Sequence, residues 1–334
     1  WDKSVKHGYV GWWDLASLPK LNFNSASLRK VMYEGKNSIV KKWLSPKYGM
    51  SGWRIDVGNM TGRLGEDDLH DEVMRGIRTA MDEVKPDAWL VAENGDFVAS
   101  DLDGFGWHGA MNYQGFMRPL WNWINQNSSI GGGFQGLPFE MPKIGGKSLV
   151  ASMVQFSSSI PWRSLVASMV LLDSHDTARM RTVVSGDRKA HLSAMTAMLT
   201  YPGVPSIFAG DEIGLEGSWG EDSRRTINWE DRSGWDHDFL AEAKKLIELR
   251  RTQHGLIEGG LRWVAVEDDF ICYLRESNKQ SVLVFISRKS VRTEIDLAAY
   301  GLKVMKTLYG PNATGNSITI DSDGATQGIW EVKN

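Results

Sequence analysis

The chain has 334 residues, of which 42% are hydrophobic and 24% are charged, so it can bury a large core and has room for two domains. Its formal net charge of −3 gives no basic field for phosphate backbones or anionic lipid, which argues against nucleic acid and membranes as partners. The single cysteine, Cys272, excludes an internal disulfide, and the sequence has neither a zinc-finger spacing nor an apolar run of about 18 residues, the length of a membrane span.

A short apolar run that ends in polar residues and precedes a helix-like segment recurs along the first two thirds of the sequence. The runs cover residues 52–57, 88–93, 166–172 and 204–209. Residues 67–84, between the first two runs, have the apolar spacing of an amphipathic helix. This alternation predicts βα units, whose parallel strands present ligand-binding residues at their carboxyl ends. We therefore expect the polar residues that end the runs on one shared face.

The pattern changes after a helix predicted over residues 238–251. Strand-length runs follow without a helix between them, over residues 261–266, 270–275, 281–287, 304–309 and 317–320. Such a series, separated by turn-prone residues, predicts a small antiparallel β domain. The expected domains are residues 1–254 and residues 255–334.

Three carboxylates stand at or just after the ends of the predicted strands: Asp56, Glu93 and Asp176. Cleavage of a glycosidic bond with retention needs one carboxylate that attacks the anomeric carbon and a second, protonated one about 5 to 5.5 Å away. Acids at the ends of neighbouring parallel strands can meet that distance. Arg54, two residues before Asp56, would point the same way from a strand and keep that carboxylate ionised.

Acids at strand ends also have a structural interpretation. They occur as helix N-caps and as solvated loop residues. Asp211, which ends another run in the same way, illustrates how easily the pattern arises. Spacing alone therefore leaves a catalytic and a structural role open for each of these carboxylates.

The 15 tryptophans are many for a chain of this length. An indole is a flat apolar plate with one hydrogen-bond donor, which suits the apolar face of a sugar ring as well as a packed core. Core packing is the commoner role for any single tryptophan. The candidates for sugar binding are those beside loop-forming residues, Trp13, Trp107 and Trp219, and His108 next to Trp107 is a candidate for the same cleft.

Several of these segments resemble motifs of the α-amylase family. Gly52-Trp-Arg-Ile-Asp-Val is similar to its fourth-strand motif, Val91-Ala-Glu-Asn to its fifth-strand motif, and Leu171-Leu-Asp-Ser-His-Asp to its seventh-strand motif. Their order and separations match as well. Residues 12–22, 111–113, 201–214 and the Arg-Arg segment 222–229 resemble further parts of oligosaccharide-acting members, so the resemblance covers nearly the whole chain.

The resemblance implies strands 4 to 8 of a (β/α)₈ barrel, followed by an antiparallel β-sandwich domain. Asp56 would be the nucleophile and Glu93 the general acid/base. Asp176 would be the third carboxylate, binding hydroxyls of the sugar at the cleavage point together with His175, while Arg54 would position Asp56. The implied reaction needs no cofactor, and we expect no metal ligands in this sequence.

The first family motif and the first three strands are absent from the sequence. Because five strands of eight cannot close a barrel, we expect the missing N-terminal half to come from a longer chain or from a separate chain. A calcium site would belong to that part, and homodimer formation is open. Trp1 is not an initiator Met and no signal peptide follows, so we expect the natural start upstream. The lone cysteine favours a reducing compartment, and the cytoplasm is the expected location.

Smaller departures from the family pattern bear on the substrate. Ser174 stands where many members have Asn, and Asn59-Met60 follows Asp56 where starch-degrading amylases often have Lys-His. This favours α-linked malto- or isomalto-oligosaccharides or cyclic glucans as substrates, with hydrolysis and transglycosylation both open. The alternatives are a non-catalytic amylase-like interaction subunit and a disaccharide isomerase of the same family. A TIM-barrel metal enzyme is disfavoured because the histidines are isolated.

Overall fold

A computed structural model describes residues 6–95, 97–126 and 140–333. Trp1, where the sequence begins, lies outside these described residues. The chain divides into two compact units. Unit 1 comprises Trp1–Met111 and Ser159–Met169, and unit 2 comprises Asn112–Ser158 and Val170–Asn334.

The described residues form short helices and strands. The α-helices, in chain order, are α1 (Ala26–Arg29), α2 (Ile39–Leu44), α3 (His70–Asp82), α4 (Arg118–Ile124), α5 (Gly146–Ser158), α6 (Trp162–Ala167), α7 (Met180–Val183), α8 (Arg188–Thr200), α9 (Gly220–Ser223), α10 (His237–Thr252) and α11 (His254–Glu258). The strands are β1 (Gly52–Ile55), β2 (Arg63–Leu64), β3 (Asp67–Asp68), β4 (Trp89–Ala92), β5 (Gly109–Ala110), β6 (Met169–Leu171), β7 (Val204–Ser206), β8 (Gly260–Val266), β9 (Phe270–Glu276), β10 (Ser281–Ser287), β11 (Arg292–Asp296), β12 (Lys303–Tyr309), β13 (Ser317–Asp321) and β14 (Gln327–Lys333). In the part of the chain that the structure describes, no helix is long and apolar enough to cross a membrane.

Unit 1 contains a parallel sheet in the order β1-β4-β5. Arg54 on β1 is in register with Val91 on β4, so these two strands end side by side. A parallel bridge joins Met111, directly after β5, to Met169. Both strands predicted for this part of the chain are confirmed, and the chain turns at the polar residues that end them.

The amphipathic helix predicted between the first two strands is α3. Its buried face consists of Val73, Met74, Ile77, Ala80 and Met81. Acidic Asp71 and Glu72 in its first turn interact favourably with the positive end of the helix dipole. The helix begins at His70, later than predicted, because Asp67 and Asp68 form β3 and pair with β2.

Unit 2 contains β7 and most of β6, which form a two-stranded sheet. Both strands are shorter than the apolar runs that predicted them. The run over residues 166–172 loses its first residues to α6, which ends at Ala167. Helix α10 confirms the prediction over residues 238–251, and it buries Phe239, Ala243 and Leu246.

The C-terminal part of unit 2 is an antiparallel β structure, as predicted. A five-stranded sheet has the order β12-β14-β10-β9-β8, and β11 pairs with β13 in a second sheet. Side chains from both sheets share one apolar core, which includes Leu274, Phe285, Ile295, Ile318 and Trp330. The sequence did not predict β11, where Ile295 alone is buried, or β14, which contains polar residues and Gly328.

The predicted boundary after residue 254 falls inside α11, shortly before the first strand of the β structure, and both sides belong to unit 2. Buried Arg275 on β9 donates hydrogen bonds to the carbonyl oxygens of Thr200 and Gly259. The hydroxyls of Thr200 and Tyr273 lie 2.5 Å apart. These buried contacts join α8 to the β structure, and the division into residues 1–254 and 255–334 stays a prediction.

Candidate active site

The end of β1 places Arg54 and Asp56 on the same side of the strand, because alternate side chains point the same way. The Nη1 atom of Arg54 donates to Oδ1 of Asp56. Its Nη2 atom lies 3.0 Å from Oε2 of Glu93 in an ion-pair contact. One guanidinium therefore contacts both carboxylates.

Glu93 is fixed by the backbone of the neighbouring strand and turn. Its N–H donates to the carbonyl oxygen of Ile55 at 2.8 Å, which continues the parallel pairing to the end of β4. The N–H of Val57 donates to Oε2 of Glu93 at 2.8 Å. The N–H of Gly58 donates to the Glu93 carbonyl oxygen, also at 2.8 Å. The side chain and the backbone of Glu93 are thus both held by the turn that follows Asp56.

That turn has an unusual backbone. Val57 has φ 44° and ψ 49°, a left-handed conformation that a β-branched residue rarely adopts. A Cβ atom on Gly58 would lie 2.7 Å from the Cβ atom of Ala92, so only glycine fits there. Strain of this kind persists where the surrounding structure requires it, and it is common at functional sites.

The second group of predicted residues lies in unit 2, in the loop after β6. His175 Nε2 lies 3.2 Å from Oδ2 of Asp176. Arg224 donates from Nη2 to Oδ1 of Asp176 at 2.9 Å and from Nε to the His175 carbonyl oxygen at 2.7 Å. Ser174 Oγ accepts from the N–H of Asp176 at 3.2 Å and from the hydroxyl of Tyr113 at 3.1 Å. Both oxygens of the Asp176 carboxylate are therefore held.

A buried ionic cluster lies behind this loop. Arg179 donates from Nη1 to Oδ1 of Asp211 at 2.7 Å, and the N–H of Met180 donates to Oδ2 of Asp173 at 2.6 Å. Burial raises the pKa of Asp173, and burial together with the nearby Asp173 carboxyl raises the pKa of Asp211 well above its usual value. Arg179 is the charged partner of Asp211 in this cluster. Asp211 thus has the structural role that the sequence left open.

Two of the three predicted sugar-binding tryptophans are accessible. The Trp13 side chain, in unit 1, is 67% exposed and stacks on Trp12 with ring centroids 4.5 Å apart. Trp219, in unit 2, is 48% exposed and precedes α9. An exposed indole face can accept the apolar face of a sugar ring.

The structure contradicts the prediction for Trp107. Its side chain is fully buried and packs edge-on against His70, so neither ring face can meet a ligand. His108 accepts a hydrogen bond at Nδ1 from the N–H of Leu90, three residues before Glu93. Burial lowers the pKa of His108. This histidine therefore supports the middle of β4 and does not stand at its carboxyl end.

Arg224 is a further residue of this group, and the sequence alone does not single it out. The Arg-Arg segment 222–229 resembles the family, but nothing in its spacing indicates that Arg224 contacts Asp176, 48 residues earlier. Within the described residues, no cluster of three or more His, Cys, Asp or Glu side chains is arranged to hold a metal ion.

The parallel strands, the helices between them and the polar side chains at the strand ends define an α/β domain. The family model described as "Alpha amylase, catalytic domain" matches residues 1–245, well over half of the chain. The chain therefore belongs to the α-amylase family.

Two relatives illustrate the similarity. A cyclomaltodextrinase from Bacillus sp is 26% identical over 305 residues, which is 90% of this chain and 48% of the relative. An intracellular maltogenic amylase from Bacillus subtilis is 28% identical over 285 residues, which is 84% of this chain and 43% of the relative. This chain thus spans less than half the length of either relative.

A solved structure shows the same fold. The debranching enzyme from Nostoc punctiforme superposes with a TM-score of 0.81 at 24% sequence identity. The match covers 97% of this chain and 65% of that one. The fold is that of an amylase-like catalytic domain with a β-rich C-terminal part.

Proposed function

We propose that the protein is a retaining α-glucoside hydrolase that works by double displacement. The observation that supports this most is the pair of carboxylates, Asp56 and Glu93, at the ends of two adjacent parallel strands and in contact with one guanidinium. In the first step the Asp56 carboxylate attacks the anomeric carbon, and Glu93 gives its proton to the departing glycosidic oxygen. In the second step Glu93 takes a proton from water, which attacks the same carbon and releases Asp56.

The remaining polar residues have supporting roles in this proposal. Arg54 holds Asp56 in its orientation through a direct hydrogen bond. His175 and Asp176 bind hydroxyls of the sugar at the cleavage point, and Asp176 favours the distorted ring. Trp13 and Trp219 are proposed to stack against further sugar units, since their indoles are accessible.

The proposed substrates are short malto- or isomalto-oligosaccharides and cyclic glucans. The names of the two relatives, a cyclomaltodextrinase and a maltogenic amylase, support this class. Asn59-Met60 after Asp56 supports it as well, because starch-degrading members often have Lys-His there. Transfer of the glucosyl unit to a sugar in place of water is a second outcome of the same chemistry.

We further propose that β1, β4, β5, β6 and β7 are strands 4 to 8 of a (β/α)₈ barrel whose other strands are supplied from outside this sequence. The parallel order β1-β4-β5 and the parallel bridge from Met111 to Met169 support this. The N-terminal half would come from a longer chain or a separate chain, and any calcium site would lie there. The word "intracellular" in one relative's name supports a cytoplasmic location.

The test is hydrolysis of p-nitrophenyl α-glucoside and maltotriose by the full-length protein, with the anomeric form of the first product followed by NMR. We expect the α-anomer first, and we expect Asp56→Asn to lower kcat by about 10³-fold or more, because the variant lacks the nucleophile. Asp87→Asn, at an exposed acid before β4, is the control and should keep its activity. A β-anomer, or full activity in Asp56→Asn, would contradict the proposal. A wild-type protein inert on these substrates and on cyclodextrins would favour a non-catalytic subunit.

A further inference from the structure

The Asp176 carboxylate is held by a residue to which the proposed mechanism assigns no role. Arg224 donates from Nη2 to Oδ1 of Asp176 at 2.9 Å, while His175 approaches the other oxygen. The Nε atom of the same guanidinium donates to the His175 carbonyl oxygen at 2.7 Å. One side chain therefore fixes both the Asp176 carboxylate and the backbone just before it.

Arg224 is itself held in place by buried structure. It directly follows α9, and the carbonyl oxygen of Ser223, the last residue of that helix, accepts a hydrogen bond from Nε of Arg179 at 2.9 Å. Arg179 is buried and paired with Asp211. At the other end of α9, a Cβ atom on Gly220 would lie 3.1 Å from the backbone of Asp176. The helix thus packs directly on the residue that Arg224 holds.

We infer that Arg224 is a positioning residue for Asp176, an inference that rests on the proposed function. To bind sugar hydroxyls, the Asp176 carboxylate must be held in one orientation. Asp176 lies in a loop and its side chain is 24% exposed, so that orientation requires a contact such as the one from Arg224. A guanidinium has diverging donors that reach a carboxylate and a carbonyl at once, which a lysine ammonium cannot reproduce in the same geometry.

Because the ion pair between Arg224 and Asp176 is exposed, a positioning role can be distinguished from a contribution to folding stability. The side chain of Arg224 is 44% exposed, and ion pairs this open to solvent contribute little to folding. A misplacement of about 1 Å in a catalytic site, in contrast, can cost about 100-fold in rate. Loss of Arg224 should therefore affect turnover far more than thermal stability.

The neighbouring arginine provides a matched control. Arg225 donates to Asp222 through Nε at 2.9 Å and through Nη2 at 2.7 Å. Its side chain is 57% exposed, close to the exposure of Arg224. Replacing Arg225 removes the same charge from the same segment without removing a contact to Asp176.

The experiment compares Arg224→Ala, Arg224→Lys and Arg225→Ala in the full-length protein with p-nitrophenyl α-glucoside. We expect Arg224→Ala to lower kcat by about 100-fold with a smaller change in KM. Arg224→Lys should recover part of this loss, and Arg225→Ala should stay close to wild type. Millimolar guanidinium chloride should raise kcat of Arg224→Ala alone, because an exposed site admits the small cation.

A double-mutant cycle tests whether Arg224 acts through Asp176. In an Asp176→Asn background, Arg224→Ala should cause little further loss, since its target has already been removed. Losses that multiply, or wild-type kcat in Arg224→Ala, would overturn the inference while leaving the proposed function intact. A wild-type protein inert on α-glucosides would overturn the proposed function, and this inference with it.

Discussion

Asp56 and Glu93 share one guanidinium but differ in their contact with solvent. The Asp56 side chain is 75% exposed and the Glu93 side chain is 17% exposed. Different environments for two nearby carboxyl groups are what a division into nucleophile and general acid requires. The open carboxylate is accessible to a sugar carbon, whereas the shielded one is held by the N–H of Val57.

The left-handed backbone conformation of Val57 should affect the free energy of unfolding of variants at this position. A residue with a Cβ atom pays about 1 to 2 kcal/mol for this conformation, and glycine does not. We therefore expect Val57→Gly to be more stable than Val57→Ala by about 1 kcal/mol, the reverse of their order in ordinary helices and strands. Urea unfolding of the two variants measures this difference. An alanine variant as stable as the glycine variant would mean that Val57 is not held in this conformation.

The grouping of Arg54, Asp56 and Glu93 was largely predictable from the sequence because it depends on short-range order. Arg54 and Asp56 are two residues apart at the end of β1, and Glu93 directly follows β4, the parallel neighbour of β1, so alternation and strand order place them together. Trp107 was misjudged, since a tryptophan beside glycine and histidine has the same local sequence in a core and on a surface. Arg224 could not be placed, because its contact with Asp176 depends on how two distant loops pack.

At the scale of elements, the apolar runs located the strands but overstated their lengths. The first run covers residues 52–57 and β1 ends at Ile55, because Asp56 and Val57 already belong to the turn. Strand β11 was not predicted, because it has too few apolar residues to form a recognisable run. It has one buried side chain, Ile295, and an edge strand with little buried surface leaves a weak alternation in the sequence.

The loops after β6 and β7 are joined by the buried pair of Asp173 and Asp211, which makes stability depend on pH. Burial raises the pKa of both groups, so the folded protein keeps a proton that the unfolded chain releases above about pH 4. Stability should therefore fall as the pH rises toward the folded pKa, by up to about 1.4 kcal/mol per pH unit for one retained proton.

Replacing one partner should weaken the dependence of stability on pH. Asp173→Asn substitutes an amide that can donate to Asp211, so no shared proton is needed and Asp211 can ionise beside Arg179. Urea unfolding between about pH 4 and pH 7 should give a shallower fall in stability for Asp173→Asn than for wild type. The exposed Asp87→Asn is the control, and it should keep the wild-type slope. Equal slopes for all three proteins would show that the pair does not retain a proton.

At the scale of the whole molecule, the chain has a family-like catalytic domain but spans less than half the length of the two relatives described. The order of the motifs along the sequence was enough to predict the family, and the strand-length runs after residue 254 predicted the β-rich C-terminal part. It did not predict that residues on both sides of position 254 belong to one compact unit. That result depends on buried side chains such as Arg275, which bond to backbone far away in the sequence.

In the proposed mechanism Asp56 forms a covalent bond to the sugar, and this glycosyl-enzyme can be trapped. A 5-fluoroglucosyl fluoride of α configuration slows both steps by destabilising the positively charged transition state, while its good leaving group lets the glycosyl-enzyme accumulate. Mass spectrometry of the digested full-length protein should find the added sugar on the peptide that contains Asp56, and should find none in Asp56→Asn. An active enzyme whose label lies on another residue, or that never becomes labelled, would contradict the account.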